Sequence, residues 1–273
     1  MARTHVRSSL KGDGMRRTPG FWLSVTWLVT ICAASWLLPI FLPHDPYLPV
    51  ADPLLSGRHF PPLGTDALGR DFLSRILYGS RMTLSAAVLS ASITIISGIA
   101  LGLIASTTSN WVDRVILGFV NAALAIPGLL FALLLTAGLG PGFRTIILAI
   151  GFGLIPGYTR LARSVFLQIR QAEYITAARS IGMRPMRIAI SHILPNAIRG
   201  VASFSALHFS WAIMGITTLT FLGLSGDPSI PELGALLNSG RQHLQIAPHL
   251  AIIPGLLISL TILAIYRLSE ELD

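Results

Sequence analysis

Six apolar runs, each long enough to cross a bilayer, dominate this chain and leave it few ways to fold. A helix needs about 20 largely apolar residues to pass the hydrocarbon core. Residues 21–42, 82–105, 115–138, 145–166, 197–222 and 248–266 meet that length. Lipid offers no hydrogen bonds to a bare backbone, so each run is read as a helix. The fold class is therefore an all-α polytopic membrane protein with six transmembrane helices. Composition agrees: 12% of the 273 residues are charged, against about 25% in a soluble domain. The first run is too long for a signal-peptide apolar region and lacks a clear small-residue cleavage site, so it is expected to stay as a span.

The formal charge is +8, which raises the question of nucleic acid. The arginines instead follow a membrane topology. With the amino terminus cytoplasmic, 14 basic residues fall inside and 6 outside (Arg58, Arg70, Arg75, Arg81, Arg144 and Arg241). Basic residues concentrate on the cytoplasmic side of spans, and the count selects this orientation, with both termini cytoplasmic. Nucleic acid is not an expected partner; membrane lipid is. The single cysteine, Cys32, excludes an intramolecular disulfide.

The organisation follows. Residues 1–20 form a basic tail, 21–42 the first span, and 43–81 an outer loop. Residues 82–268 form the core of the bundle, and 269–273 a short end. The outer loop begins with a proline-rich irregular stretch. It closes with LGTDALGRDFLSRILYGSRMTL, in which Phe72, Leu73, Ile76 and Leu77 share one helical face. That face predicts an interfacial helix before the second span, with Asp71 and Arg75 spaced as an i,i+4 pair.

One polar, basic stretch interrupts the apolar runs: EYITAARSIGMRPMRIAISHILPN, from Glu173 to Asn196. Glu173 to Ile181 reads as a short helix, with Ala177 and Ala178 small enough for another surface to approach. Gly182 suits the left-handed residue that closes it. Pro185 suits the first turn of a second helix, which Leu194-Pro195 bends or ends. The product is a helix–Gly–helix elbow carrying Arg179, Arg184 and Arg187, a shape suited to a groove on a soluble partner.

Ala177-Ala178, Gly182 three residues beyond Arg179, and Leu194-Pro195-Asn196 resemble the EAA loop of ABC importer permeases, here spanning residues 168–196. Thr176 stands where that loop carries a glutamate, although Glu173 lies three residues earlier. The LGTD…GRD…SR segment, and Thr220 to Leu224 (TFLGL) followed by Pro228, Pro231 and Leu233-Gly234, resemble the peptide/nickel branch of these permeases. Leu233 replaces a common tryptophan, Ile216 stands where peptide permeases often carry glutamate, and the closing YRLSEELD differs from the branch's usual ending. The resemblance implies a type I importer permease fold in a bacterial inner membrane. It implies a homologous second permease, two cytoplasmic ATPases that bind ATP and magnesium, and an extracytoplasmic solute-binding protein. It makes Glu173, Ala177, Ala178, Arg179, Gly182, Leu194 and Pro195 the residues of ATPase coupling. Small peptides are the default substrate it implies, with nickel or a metal chelate as the alternative.

The residues themselves show no enzyme. There is no GxxxxGK[ST] phosphate loop and no HExxH or CxxC metal motif, and the six runs hold no Asp or Glu. No cofactor is expected on this chain. Polar residues inside spans are candidates for a path or for hydrogen bonds between helices, and here these are Asn121 and His208, with Trp211 beside it. A channel or secondary transporter would need no ATPase, and the elbow argues against that reading.

Overall fold

The structure is a computed structural model that describes residues 18–56 and 61–271. Among the described residues, five helices are long and apolar enough to cross a membrane: α1 (Pro19–Phe41), α2 (Phe72–Thr107), α5 (Phe143–Arg170), α8 (Leu194–Phe221) and α10 (His249–Glu270). The remaining run is not one helix. It divides into α3 (Asn110–Leu124) and α4 (Gly128–Leu139), bent by 88° between them. Pro127 is the reason, since it has no N–H to continue the ladder and clashes with the preceding turn. α6 (Glu173–Ser180), α7 (Pro185–Ile188) and α9 (Leu233–Arg241) lie outside the spans.

α2 also departs from expectation. The interfacial helix and the second span are one unbroken helix of 36 residues, about 54 Å at 1.5 Å per residue. Asp71 caps it, accepting from the Leu73 N–H at 3.1 Å and the Ser74 hydroxyl at 2.6 Å. Asp71 is thus occupied by the helix end, and Arg75 turns to Asp66 instead, with Nε 3.2 Å from its carboxylate. Asp66 also takes the Arg70 N–H at 3.0 Å and Arg70 Nε at 2.8 Å. Arg75 Nη1 donates to the carbonyls of Pro46 at 2.8 Å and Ser229 at 3.2 Å, joining two outer loops. All three charged residues are buried. Gly69 is required beside them: its φ is +75°, and a Cβ there would lie 2.2 Å from the Ala51 carbonyl.

α9 seals this end. The Leu233 N–H donates to Thr83 of α2 at 3.2 Å, and Gly234 lies so close to the Thr217 carbonyl of α8 that a Cβ would be 2.3 Å away. Glu232, one residue before α9, is fully buried. Burial pushes its carboxyl up to about 8.

Inside the bundle, α2 and α5 form the closest seam. Ser90 donates to the Ile147 carbonyl at 2.9 Å and Thr94 to that of Gly151 at 2.8 Å. A Cβ at Gly98 would meet the Tyr158 ring at 2.6 Å, and one at Gly102 would meet the Arg163 nitrogen at 3.0 Å. These residues recur every four positions, so they fall on one face of α2. Small side chains let apolar helices approach where lipid supplies no hydrophobic drive. The apolar core beside the seam is built from Ala86, Ala87, Ile146, Ala149, Ile213 and Ile216 among others.

Candidate functional site

At the other end of the bundle, α5 leads through Gln171 and Ala172 into the elbow. Glu173 places an acid in the first turn of α6, where the helix dipole favours it. Gly182, at φ +80°, closes α6 with paired bonds: its own N–H to Arg179 O at 2.9 Å and that of Met183 to Ala178 O at 3.1 Å. This is the Schellman arrangement, and it requires the left-handed residue that glycine adopts without strain. Pro185 then opens α7 in its first turn.

α7 does not end at Leu194-Pro195. It passes through a π-helical turn, Ala189–Ile193, straight into α8. Pro195 cannot donate to the turn before it, so the ladder slips by one residue there, and the Leu194 N–H reaches Ala189 O. The Asn196 side chain satisfies the His192 carbonyl at 2.6 Å. The elbow is therefore continuous with two spans, α5 before it and α8 after it.

The elbow has two faces. Its inner face buries Ile175, Ala178 and Ile188 against Phe166, Ile193, Ala197 and Val201. Its outer face exposes Glu173, Tyr174, Ala177, Arg179, Arg184 and Arg187. Ile181 and Met186 stand out from it, 79% and 69% exposed. The two alanines thus point opposite ways, Ala177 outward and Ala178 into the core. Leu194 is half-buried and Pro195 exposed where the elbow joins α8.

A second feature is a cleft of about 330 Å³ deeper in the bundle. It is lined by Gly128 and Leu129 of α4, Ile150, Gly153 and Leu154 of α5, and Trp211, Met214, Gly215 and Thr218 of α8. Trp211 is on its wall. His208 is fully buried instead, held between Tyr158, edge-on at 4.8 Å, and Trp211, tilted at 4.7 Å, with Nδ1 2.9 Å from the Phe204 carbonyl. Asn121 is exposed on α3 and does not line the cleft. The three residues do not come together.

Sequence reasoning missed an ion pair between the elbow and the cleft. Arg163 of α5 meets Asp113 of α3 bidentately through one guanidinium edge, Nε to Oδ1 at 2.6 Å and Nη2 to Oδ2 at 2.5 Å. A lone acid at the start of the third run, opposite arginines at the end of the fourth, was the available signal.

This arrangement, a bundle whose spans are joined through an exposed apolar and basic elbow, has known relatives. Residues 98–272 match the family described as binding-protein-dependent transport system inner membrane component. The chain belongs to that family. It is 39% identical over 217 residues to the glutathione transport system permease protein GsiD of Pectobacterium atrosepticum, covering 80% of this chain and 71% of the relative. GsiD of Escherichia coli O157:H7 is 39% identical over 209 residues, covering 77% and 69%. Among solved structures, a chain of the MetNI methionine ABC transporter in an inward-facing conformation aligns at TM-score 0.58 and 18% identity, covering 73% of this chain and 96% of that one. An amino acid ABC transporter aligns at 0.55 and 18%, covering 72% and 91%. These two share the fold. The protein is a permease subunit of an ABC importer of the peptide/nickel branch, multi-pass in the inner membrane, and not an enzyme.

Proposed function

We propose that this permease imports a small peptide of the size and chemistry of glutathione, with its elbow as the contact to cytoplasmic ATPases. The observation that carries the coupling role is the outer face of the elbow, where Tyr174, Ile181 and Met186 stand exposed among Arg179, Arg184 and Arg187. Large apolar side chains ringed by charge are the usual anatomy of a protein contact. The apolar groups would fill a cleft on the ATPase, and the arginines would orient it on an acidic rim. ATP and magnesium belong to that partner. Residues 168–196, with Glu173, Ala177, Arg179 and Gly182 at the contact and Ala178, Leu194 and Pro195 holding its shape, form the coupling loop. In this orientation both termini are cytoplasmic, and the end bearing α9 faces a solute-binding protein.

The substrate reading rests on the GsiD relatives, whose names give glutathione transport, and on the cleft. Its wall is apolar apart from Thr218, with Trp211 its one aromatic side chain, and a homologous second permease would complete it. Trp211 is the residue of this chain assigned to the path. His208 acts behind it by holding the indole, and Asn121, exposed on α3, would be open to the second permease. ATP binding draws the ATPases together, and the elbows move with them. A ligand shifts such an equilibrium only through differential contact with the two states, and the elbow supplies that contact.

The test is uptake of labelled glutathione, a labelled dipeptide and labelled nickel in cells with and without the gene. Gene-dependent uptake of glutathione or the dipeptide supports the reading. Gene-dependent nickel uptake alone overturns the peptide assignment.

A further inference from the structure

α3 is the loosest span segment, with Val120 its one buried residue among those described. Two arginines of α5 flank its beginning. Arg163 takes both oxygens of the Asp113 carboxylate with one edge of its guanidinium, and each side chain is only 22% exposed. Seven residues on, and so on the same face of α5, Arg170 donates through Nη1 to the Ser106 carbonyl in the last turn of α2. The two contacts therefore fall on either side of the short link between α2 and α3. A bidentate guanidinium–carboxylate pair fixes angle as well as distance.

The position of this grip matters as much as its geometry. α6 begins at Glu173, directly after the end of α5 at Arg170. At its other end α3 turns through 88° into α4, whose first residues, Gly128 and Leu129, line the cleft opposite Trp211. A continuous path thus runs from the elbow through α5 and the ion pair to α3, and from there to the cleft wall.

We propose that Arg163 and Asp113, backed by Arg170, form a clamp that makes α3 follow α5 whenever the elbow moves. The clamp carries elbow displacement into the broken span and so to the cleft. Asp113 is a positioning residue for coupling and touches no substrate. This inference rests on the reading of the elbow as the ATPase contact. Packing along the α2–α5 seam holds α5 to α2 without the pair, so breaking it frees α3 rather than unfolding the bundle.

The test uses the whole transporter with its ATPases in lipid nanodiscs, in a Cys32→Ser background. Spin labels are placed at two exposed positions, Trp111→Cys on α3 and Ser164→Cys on α5, and separately at Ser180→Cys on the elbow and Tyr266→Cys on α10. Distances are measured without nucleotide and with ATP and vanadate trapped. The clamp predicts that the Ser180–Tyr266 distance changes between states while the Trp111–Ser164 distance stays within about 2 Å. With Asp113→Ala the Trp111–Ser164 distance varies between states, and the exchanged pair Asp113→Arg with Arg163→Asp restores its constancy. A Trp111–Ser164 distance that changes in the otherwise native chain overturns the clamp, as does one that stays constant with Asp113→Ala. A Ser180–Tyr266 distance indifferent to nucleotide overturns the elbow reading itself, and the clamp with it.

Discussion

The two ends of the bundle solve opposite problems. At the α9 end, Asp66, Arg70 and Arg75 are buried and ion-paired through the Asp66 carboxylate, and outer loops are tied to α2 through Arg75. At the elbow end, three arginines stand exposed beside Ile181 and Met186. Charge turned inward fixes a shape. Charge turned outward around apolar side chains leaves a surface for another protein. The same residue type therefore braces one end and presents a docking face at the other, and burial decides which.

Asp66→Ala should break the contrast most severely. It leaves two buried guanidinium groups without their carboxylate, a loss of about 3–5 kcal/mol for a buried pair deprived of one partner. Thermal unfolding in detergent should show a large fall in stability, whereas removing the exposed Arg184 should leave it unchanged.

Ala177 and Ala178 sharpen the contrast within the elbow. Ala178→Arg drives a charged side chain into the core around Ile188 and Phe166 and should cost more than the roughly 1–3 kcal/mol of simple overpacking. Ala177→Arg, on the outer face, should stay within about 0.5 kcal/mol in stability and act on ATPase retention alone. Paired unfolding and co-purification measurements separate the two effects.

Glu232 tests the α9 end by pH. Its carboxyl is raised from 4.5 to about 8 by burial, so the folded state holds the proton more tightly than the unfolded one. Stability is then full below about pH 4.5 and falls as pH rises toward 8. Glu232→Gln should flatten that decline in unfolding measurements made across this window. A modest effect belongs to Gly182→Ala. At φ +80° it should cost about 1 kcal/mol and loosen the elbow without removing it.

Much of this was legible in the chain because hydropathy is a local signal. The apolar runs fell where helices lie, and Gly182 and Pro185 marked the elbow by backbone chemistry that neighbours do not alter. Apart from the unbroken runs of α2 and of α7 into α8, and the break in the third run, the misses were questions of which groups meet. Asp71 and Arg75 have ideal helical spacing, yet Asp71 is used by the helix cap and Arg75 finds Asp66. The third run has the length of one span, yet Pro127 breaks it and the two parts bend by 88°. The orientation of Ala177 and Ala178, and the Asp113–Arg163 pair across 50 residues, follow from tertiary packing that spacing does not encode.

The most direct test of the elbow as the ATPase contact is site-specific photocrosslinking in the assembled transporter, with the probe at Ile181. Leu68, 60% exposed at the opposite end, serves as the control. A probe at Ile181 should attach to the ATPase subunit and one at Leu68 should not. An Ile181 probe that captures only lipid, while the ATPase still co-purifies, would contradict the assignment.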